Sequence, residues 1–205
     1  MANVIKLRKG LDINLKGAAA QELVSVKEPG FYSLVPDAYT GITPKVVVKE
    51  QEYVMAGGPL FIDKNHPEVK FVSPVSGVVT SVERGARRKV LNIVVEAAAE
   101  QDYEEFGKKD VSKLDGEAVK AALLEAGMFA FMKQRPYDVI AEPTVAPRAI
   151  IISAFDRNPL APDFDYVLKG EEANFQTGLD ALAKIAKTYL GISIKQKSTA
   201  LTQAK

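Results

Sequence analysis

The sequence predicts a β-rich sandwich or barrel followed by an α/β layer with a parallel sheet. Short runs rich in Val, Ile and Phe, separated by turn residues, dominate residues 1–100. Two longer Ala- and Leu-rich segments then alternate with two apolar runs in residues 101–205, which is the helix and strand order of a parallel layer. We therefore divide the chain into a first half, 1–100, and a second half, 101–205.

Five strand candidates lie close together in the first half, and turn residues bound each of them. The turns contain Gly57-Gly58, the run 65–67 and Arg84-Gly85. So many short strands favour a sandwich or barrel and leave no run long enough for a helix. The candidates are residues 45–49, 59–62, 69–72, 78–82 and 90–95.

The second half begins with a predicted helix that has a sequence signal at each end. Asp115 is suited to the N-cap and Gly127 to the left-handed position after the helix. The apolar positions between them repeat at helical spacing: Val119, Ala122, Leu123 and Ala126.

Four further elements are predicted after Gly127. Residues 128–134 form a second short helix that ends before Pro136, and residues 149–154 form a buried strand. The last two are a helix with apolar positions Phe175, Leu179, Leu182 and Ile185, and a strand with alternating Leu190, Ile192 and Ile194. Because two strands make a small sheet, we expect either that residues 1–48 contribute to it or that the domain is incomplete.

Composition excludes several kinds of site. The chain has 27 Lys+Arg, 26 Asp+Glu, one His and no Cys. The lack of Cys excludes disulfides, iron–sulfur clusters and cysteine nucleophiles, and the single His66, in a turn, has no partner for a triad or a histidine metal site. A net charge of +1 offers no overall attraction for nucleic acid.

Nucleotide and membrane signals are also missing. The sequence contains neither the phosphate-binding G-x-x-x-x-G-K-[ST] motif nor the dinucleotide-binding G-x-G-x-x-G motif. Its longest apolar runs, 149–152 and 128–132, are far shorter than the roughly 20 residues that span a bilayer. The first residues lack the apolar core of a signal peptide, so we expect no export.

Three features carry more than one interpretation. The cations Arg84, Arg87, Arg88 and Lys89 indicate either a contact with an anion or partner, or a hairpin kept soluble by charge. Lys64, before a Ser-Pro-Val-Ser-Gly turn, resembles the modified lysine of swinging-arm domains or is an ordinary surface lysine. Residues 128–137 combine two Phe, two Met, a Tyr and an Arg, which suits a flat apolar ligand or a packed helix end.

Several strings together identify a family. They are I-K-L-R-K-G-L-D-I-N-L-K-G-A at 5–18, the run at 59–77, R-G-A-R-R-K-V-L at 84–91, L-L-E-A-G-M-F at 123–129, Arg135-Pro136 and S-A-F-D-R-N-P-L-A-P-D at 153–163. The chain resembles, over essentially its whole length, the N-terminal part of the NqrA subunits of the bacterial sodium-translocating NADH:quinone oxidoreductase. Members of that family are longer.

The resemblance implies a barrel-sandwich hybrid domain, similar to biotinyl and lipoyl carriers, followed by a Rossmann-like α/β domain. Shared architecture then explains the position of Lys64, and we predict no lipoylation. The family is similar to the RnfC subunit of the Rnf complex and to the flavin subunit of respiratory complex I, which have a Gly-rich FMN loop. Residues 128–137 contain no glycine here, so we predict that this chain binds neither FMN nor NADH.

The family also implies a function. The chain would be a peripheral component on the cytoplasmic side of the bacterial inner membrane, within a six-subunit complex that reduces ubiquinone or menaquinone and exports sodium ions. It would hold no cofactor, with FMN, FAD, riboflavin and the 2Fe-2S centre in other subunits, and would reach the membrane only through those partners. By motif position, the quinone contacts fall on two segments, 34–42 and 128–138, where the contact residues are Leu34, Tyr39, Phe129, Phe131, Arg135 and Tyr137. The alternative is a scaffold that docks through Arg84, Arg87, Arg88 and Lys89 without touching quinone.

Overall fold

The computed structural model describes residues 16–17, 20–156, 158 and 160–204. Most of the opening motif at 5–18 lies outside the described residues, as do Arg157 and Pro159 of the motif at 153–163. We expect either that residues 1–48 contribute to the second-half sheet or that the domain is incomplete. Of these residues the structure describes 16–17 and 20–48.

Two antiparallel sheets form the first half. The first has four strands in the order β1–β7–β6–β3, and the second has three strands in the order β2–β4–β5. The seven strands are β1 (Phe31–Leu34), β2 (Pro44–Val46), β3 (Tyr53–Val54), β4 (Pro59–Asp63), β5 (Lys70–Val72), β6 (Gly77–Arg84) and β7 (Val90–Ala97). All five predicted strands are confirmed with small changes at their ends.

The hydrophobic core lies between these sheets. Alternate residues along β6 and β7 point inward, so Val79, Ile93 and Val95 are buried, as strand periodicity requires. Phe61 and Phe71 face them from β4 and β5 and stack with ring centroids 4.5 Å apart. Buried aromatic and β-branched side chains from both sheets thus hold the sandwich together.

The second half is an α/β layer. Its elements are α1 (Gly116–Glu125), β8 (Lys133–Gln134), β9 (Val139–Ile140), β10 (Ile150–Ser153), α2 (Phe164–Val167), α3 (Glu172–Ile185), β11 (Thr188–Gly191) and α4 (Thr199–Thr202). β10 and β11 pair in parallel, with Ile151 opposite Tyr189. The predicted order of helix, strand, helix and strand is confirmed.

Both predicted end signals of α1 are confirmed. The Asp115 side chain accepts a hydrogen bond from the backbone N–H of Ala118 at 2.8 Å, and Gly127 has φ 70°. α1 also lies close to α3, since a Cβ placed on Gly116 would overlap the carbonyl oxygen of Lys184. Glycine at this position allows the two helices to pack.

Two predicted elements are wrong in extent. Residues 128–134 form a single 3-10 turn, Met128–Phe131, and then enter β8, which pairs with β9 in a hairpin. The final strand ends at Gly191 rather than Ile194, because the side chain of Gln196 accepts a hydrogen bond from the backbone N–H of Ser193 and turns the chain.

The 3-10 turn joins the two halves. Phe129 and Ala130 are buried in the core of the first half, among the residues of the sandwich. Gly127 lies so close to β5 that a Cβ there would be 2.5 Å from Cγ1 of Val72. The start of the second half is therefore anchored in the core of the first.

Candidate functional site

The two segments predicted to contact quinone, 34–42 and 128–138, meet in space. The carbonyl oxygen of Thr40 accepts a hydrogen bond from the backbone N–H of Ile140 at 2.9 Å. Gly41, with φ 87°, lies against Val139, and a Cβ on it would be 2.6 Å from the Cβ of that residue. Because β9 carries Val139 and Ile140, the β8–β9 hairpin is held directly against the chain that follows Tyr39.

Three of the six predicted contact residues form the inner part of this region. Tyr39 packs edge-on against Phe71, with ring centroids 4.5 Å apart, and also contacts Phe61. Phe129 is 6% exposed and belongs to the core, and Leu34 is half-buried against it. Burial raises the pKa of the Tyr39 hydroxyl. These side chains support the site from behind and offer little surface to a ligand.

The other three lie on the outside. Phe131 is 69% exposed and Tyr137 is 77% exposed, and the Arg135 side chain extends into solvent. Met128, at the start of the same turn, is also exposed. We refer to Met128, Phe131, Arg135 and Tyr137 as the hairpin surface, because the turns before and after β8 carry them.

Asp138 pairs with two cations of the β8–β9 hairpin. Its carboxylate lies 3.3 Å from Nζ of Lys133 and 3.5 Å from Nη1 of Arg135. Its backbone adopts φ 55°, a conformation that Asp and Asn tolerate better than other non-glycine residues. Sequence reasoning gave Asp138 no role, although Asp at the end of a short turn between strands is a signal that could have identified it.

The predicted basic segment forms the turn between β6 and β7. Arg87 and Arg88 are exposed and have φ 55° and 60°, and Nη1 of Arg84 donates to the carbonyl oxygen of Arg88 at 3.4 Å. Nζ of Lys89 lies 2.6 Å from Oδ2 of Asp37. Since Asp37 belongs to the segment 34–42, this basic hairpin is tied to the same side of the molecule as the candidate site. Its role as a partner contact stays a prediction.

Two grooves of the described structure lie elsewhere. One open groove runs between the turn at 111–113 and α3, and a smaller one lies between α3 and α4. None of the six predicted contact residues lines either groove. The hairpin surface is an open face rather than a pocket.

The single histidine and the candidate carrier lysine lie near one another in the turn between β4 and β5. His66 is partly buried, 3.9 Å from a carboxylate oxygen of Glu68 and 3.9 Å from one of Glu142. Lys64 is exposed, and its backbone N–H donates to the carbonyl oxygen of Thr43. Within the described ranges, no cluster of His, Asp and Glu is arranged to hold a metal ion. Nor does the described part of the chain contain a helix that is long and apolar enough to cross a membrane.

Comparison with known families accounts for both halves. Residues 5–98 match the family described as NqrA N-terminal barrel-sandwich hybrid domain, and residues 114–205 match the NqrA second alpha/beta domain. The chain belongs to the NqrA family. The expected succession of a barrel-sandwich hybrid and an α/β domain is thereby confirmed. The boundary at residue 100 stays a prediction.

Curated NqrA proteins agree with this assignment. The chain is 33% identical over 184 residues to the protein of Yersinia pseudotuberculosis, covering 89% of this chain and 41% of that relative. It is 32% identical over 202 residues to the protein of Vibrio vulnificus, covering 95% of this chain and 45% of that relative. Both relatives are named as a subunit of Na(+)-translocating NADH-quinone reductase. The chain thus spans less than half the length of the NqrA proteins it matches.

Proposed function

We propose that this chain acts as part of the NqrA subunit of a sodium-translocating NADH:quinone reductase, and that its hairpin surface forms one wall of a quinone site. The names of the NqrA relatives support the first statement. The hydrogen bond from Ile140 to Thr40 supports the second, since it holds together the two segments that the family resemblance associates with quinone.

The hairpin surface has the groups that a quinone requires. Phe131 and Tyr137 present two exposed aromatic rings to pack on a flat apolar ring. The Arg135 guanidinium and the Tyr137 hydroxyl can donate hydrogen bonds to the quinone oxygens, and the donor from Arg135 carries a charge. Asp138 orients Arg135 through their ion pair.

An open face cannot enclose a ligand by itself. Small-molecule sites bury about 70–90% of the surface of a ligand. Phe131 and Tyr137 are both exposed by more than two thirds, so a second wall has to come from another subunit or from the rest of the NqrA polypeptide. Leu34, Tyr39 and Phe129 then act behind the site, by fixing the two segments in register.

The cofactor content and the location of the chain are proposed from its family. In this proposal the chain holds no cofactor, and FMN, FAD, riboflavin and the 2Fe-2S centre belong to other subunits, which deliver electrons to the quinone. The chain is peripheral, on the cytoplasmic side of the inner membrane, and reaches the bilayer through its partners. Its own residues bind and orient the quinone.

The test is a substitution in the NqrA subunit of the assembled complex. Tyr137→Ala removes an exposed ring from the hairpin surface, and Tyr103→Ala removes a comparably exposed ring, 67% accessible, from the segment that follows β7. We expect the KM for a short-chain quinone to rise about tenfold, the equivalent of roughly 1.4 kcal/mol, for Tyr137→Ala only. Electron transfer from NADH to ferricyanide should stay unchanged. An equal quinone KM in both variants would refute a quinone contact at Tyr137.

A scaffold role is the alternative, and the conformation of the basic hairpin favours it. Two consecutive exposed arginines, Arg87 and Arg88, adopt left-handed backbone angles, which are costly for non-glycine residues and are often retained for function. Reversing both charges, with Arg87→Glu and Arg88→Glu, should prevent assembly of the complex and leave quinone affinity unchanged. Normal assembly of the reversed variant would exclude this hairpin as the docking contact.

A further inference from the structure

Among the described residues, a helix covers one side of the two-stranded parallel sheet. α3 contacts β11, and on that side Ile150, Ile152 and Leu190 are half-buried. Side chains of a strand alternate between the two faces, so Ile151 and Tyr189 point the other way.

That second face is open and carries one aliphatic and one aromatic side chain. Ile151 is 78% exposed and Tyr189 is 48% exposed, and the two are direct cross-strand partners. Nζ of Lys187 lies 5.0 Å from the centre of the Tyr189 ring. We call Ile151, Tyr189 and Lys187 the open sheet face.

Parallel sheets rarely leave a face in water. They occur with helices on both faces, because their strands are apolar on each side. The exposed side chains of Ile151 and Tyr189 project from the face of the sheet and not from the edge of a strand. The element that covers a sheet face is a helix. The open sheet face is therefore shaped for a helix.

We propose that the open sheet face is a docking surface for an amphipathic helix from the part of the NqrA polypeptide that lies outside the region matched here. The matched region covers only 41% of the Yersinia relative and 45% of the Vibrio relative, so each has ample chain to supply that helix. The helix would set apolar side chains at i and i+3 or i+4 over Ile151 and Tyr189. An acidic side chain on it would pair with Lys187.

A second copy of this chain fits the same face less well. A two-fold contact whose axis passes through this small face would place the Lys187 side chains of both copies within it, and like charges at close range repel. A helix with a carboxylate opposite Lys187 has no such conflict. The inference rests on the family assignment and is independent of quinone binding.

The absence of cysteine makes a thiol reporter possible. Ile151→Cys places one thiol on the open sheet face, and Ala121→Cys places a control thiol on the exposed side of α1. Each variant is made twice, in this chain and in a chain extended by the remaining sequence of the Vibrio vulnificus relative. Reaction with a maleimide is followed under native conditions.

We expect both thiols to react rapidly in this chain, and the thiol at 151 alone to slow by about tenfold or more in the extended chain. Equal rates at position 151 in the two chains would overturn the proposal. Protection at 151 that already occurs in this chain and grows with its concentration would overturn it too, by assigning the face to a second copy. If the extended chain does not fold, the two cysteines are placed instead at the aligned positions of the intact Yersinia relative. Rapid reaction there at the position equivalent to 151 would overturn the proposal.

Discussion

The hydrogen bond from the backbone N–H of Ile140 to the carbonyl oxygen of Thr40 joins residues 100 positions apart and brings the β8–β9 hairpin onto the first half of the chain. The contact depends on Gly41, which follows Thr40 and lies against Val139. The candidate quinone site therefore depends on backbone packing as much as on its aromatic side chains.

Gly41→Ala should destabilise the chain and loosen the hairpin. The added Cβ would meet Val139 at 2.6 Å, and φ 87° is unfavourable for alanine, so we expect a loss of about 1–3 kcal/mol in the free energy of unfolding. Gly178→Ala in α3 is the matched control. Its Cβ meets nothing within 4 Å, and alanine should stabilise this helix by up to about 1 kcal/mol. Urea unfolding compares the two, and equal effects would contradict the packing at Gly41.

Alanine substitutions at Phe129 and Phe131 should have very different effects on the free energy of unfolding, although the two residues are only two positions apart. Phe129→Ala leaves a cavity in the core and should cost about 3–5 kcal/mol. Phe131→Ala removes an exposed ring and should change the free energy of unfolding by less than about 0.5 kcal/mol. The measurement is again urea unfolding. A large loss at Phe131, or none at Phe129, would show that the turn packs the other way round.

The burial of Tyr39 predicts that the stability of the chain depends on pH in the alkaline range. Burial raises the pKa of its hydroxyl above 10.0, so the folded state disfavours the phenolate. The contribution of the neutral phenol is complete below pH 10 and is lost as the pH rises from there through the raised pKa. Tyr39→Phe cannot ionise, so it should match the parent in stability at about pH 8 and exceed it above about pH 10. Parallel stability curves for the two proteins would contradict the burial of this hydroxyl.

The ion pair between Lys89 and Asp37 should make a small contribution to the free energy of unfolding. Their ion pair is exposed, and such pairs contribute about 0.2–1 kcal/mol. A double-mutant cycle with Lys89→Met and Asp37→Asn should give a coupling in that range that falls with added salt. A coupling that is absent at low salt would indicate that the basic hairpin is not held against residues 34–42.

Local signals predicted much of the fold. Asp115 and Gly127 specify the ends of α1 through hydrogen bonding and backbone conformation within a few residues, and both were identified correctly. The five strands were found because their Val, Ile and Phe content is typical of a half-buried sheet. β1 was missed because it is only four residues long and contains neither Val nor Ile, although its Phe and Tyr also favour strands.

The candidate site depends on contacts between residues far apart in the sequence. The pattern of residues 128–134 gave no sign that Phe129 would enter the core of the first half, because that requires the position of β5. The division of the six predicted contacts into three inner and three outer residues has the same origin. Both segments could be named from the family resemblance, whereas their meeting through Thr40 is a tertiary contact.

The measurement that tests the central claim most directly is an NMR titration of this chain with a short-chain quinone. The account predicts saturable shifts centred on Phe131, Arg135 and Tyr137, with weak affinity because one wall is present. It also predicts smaller shifts at Tyr39 and Thr40, and none at Tyr103. A well-dispersed spectrum in which the hairpin surface does not shift, or in which shifts concentrate along the groove beside α3, would contradict it.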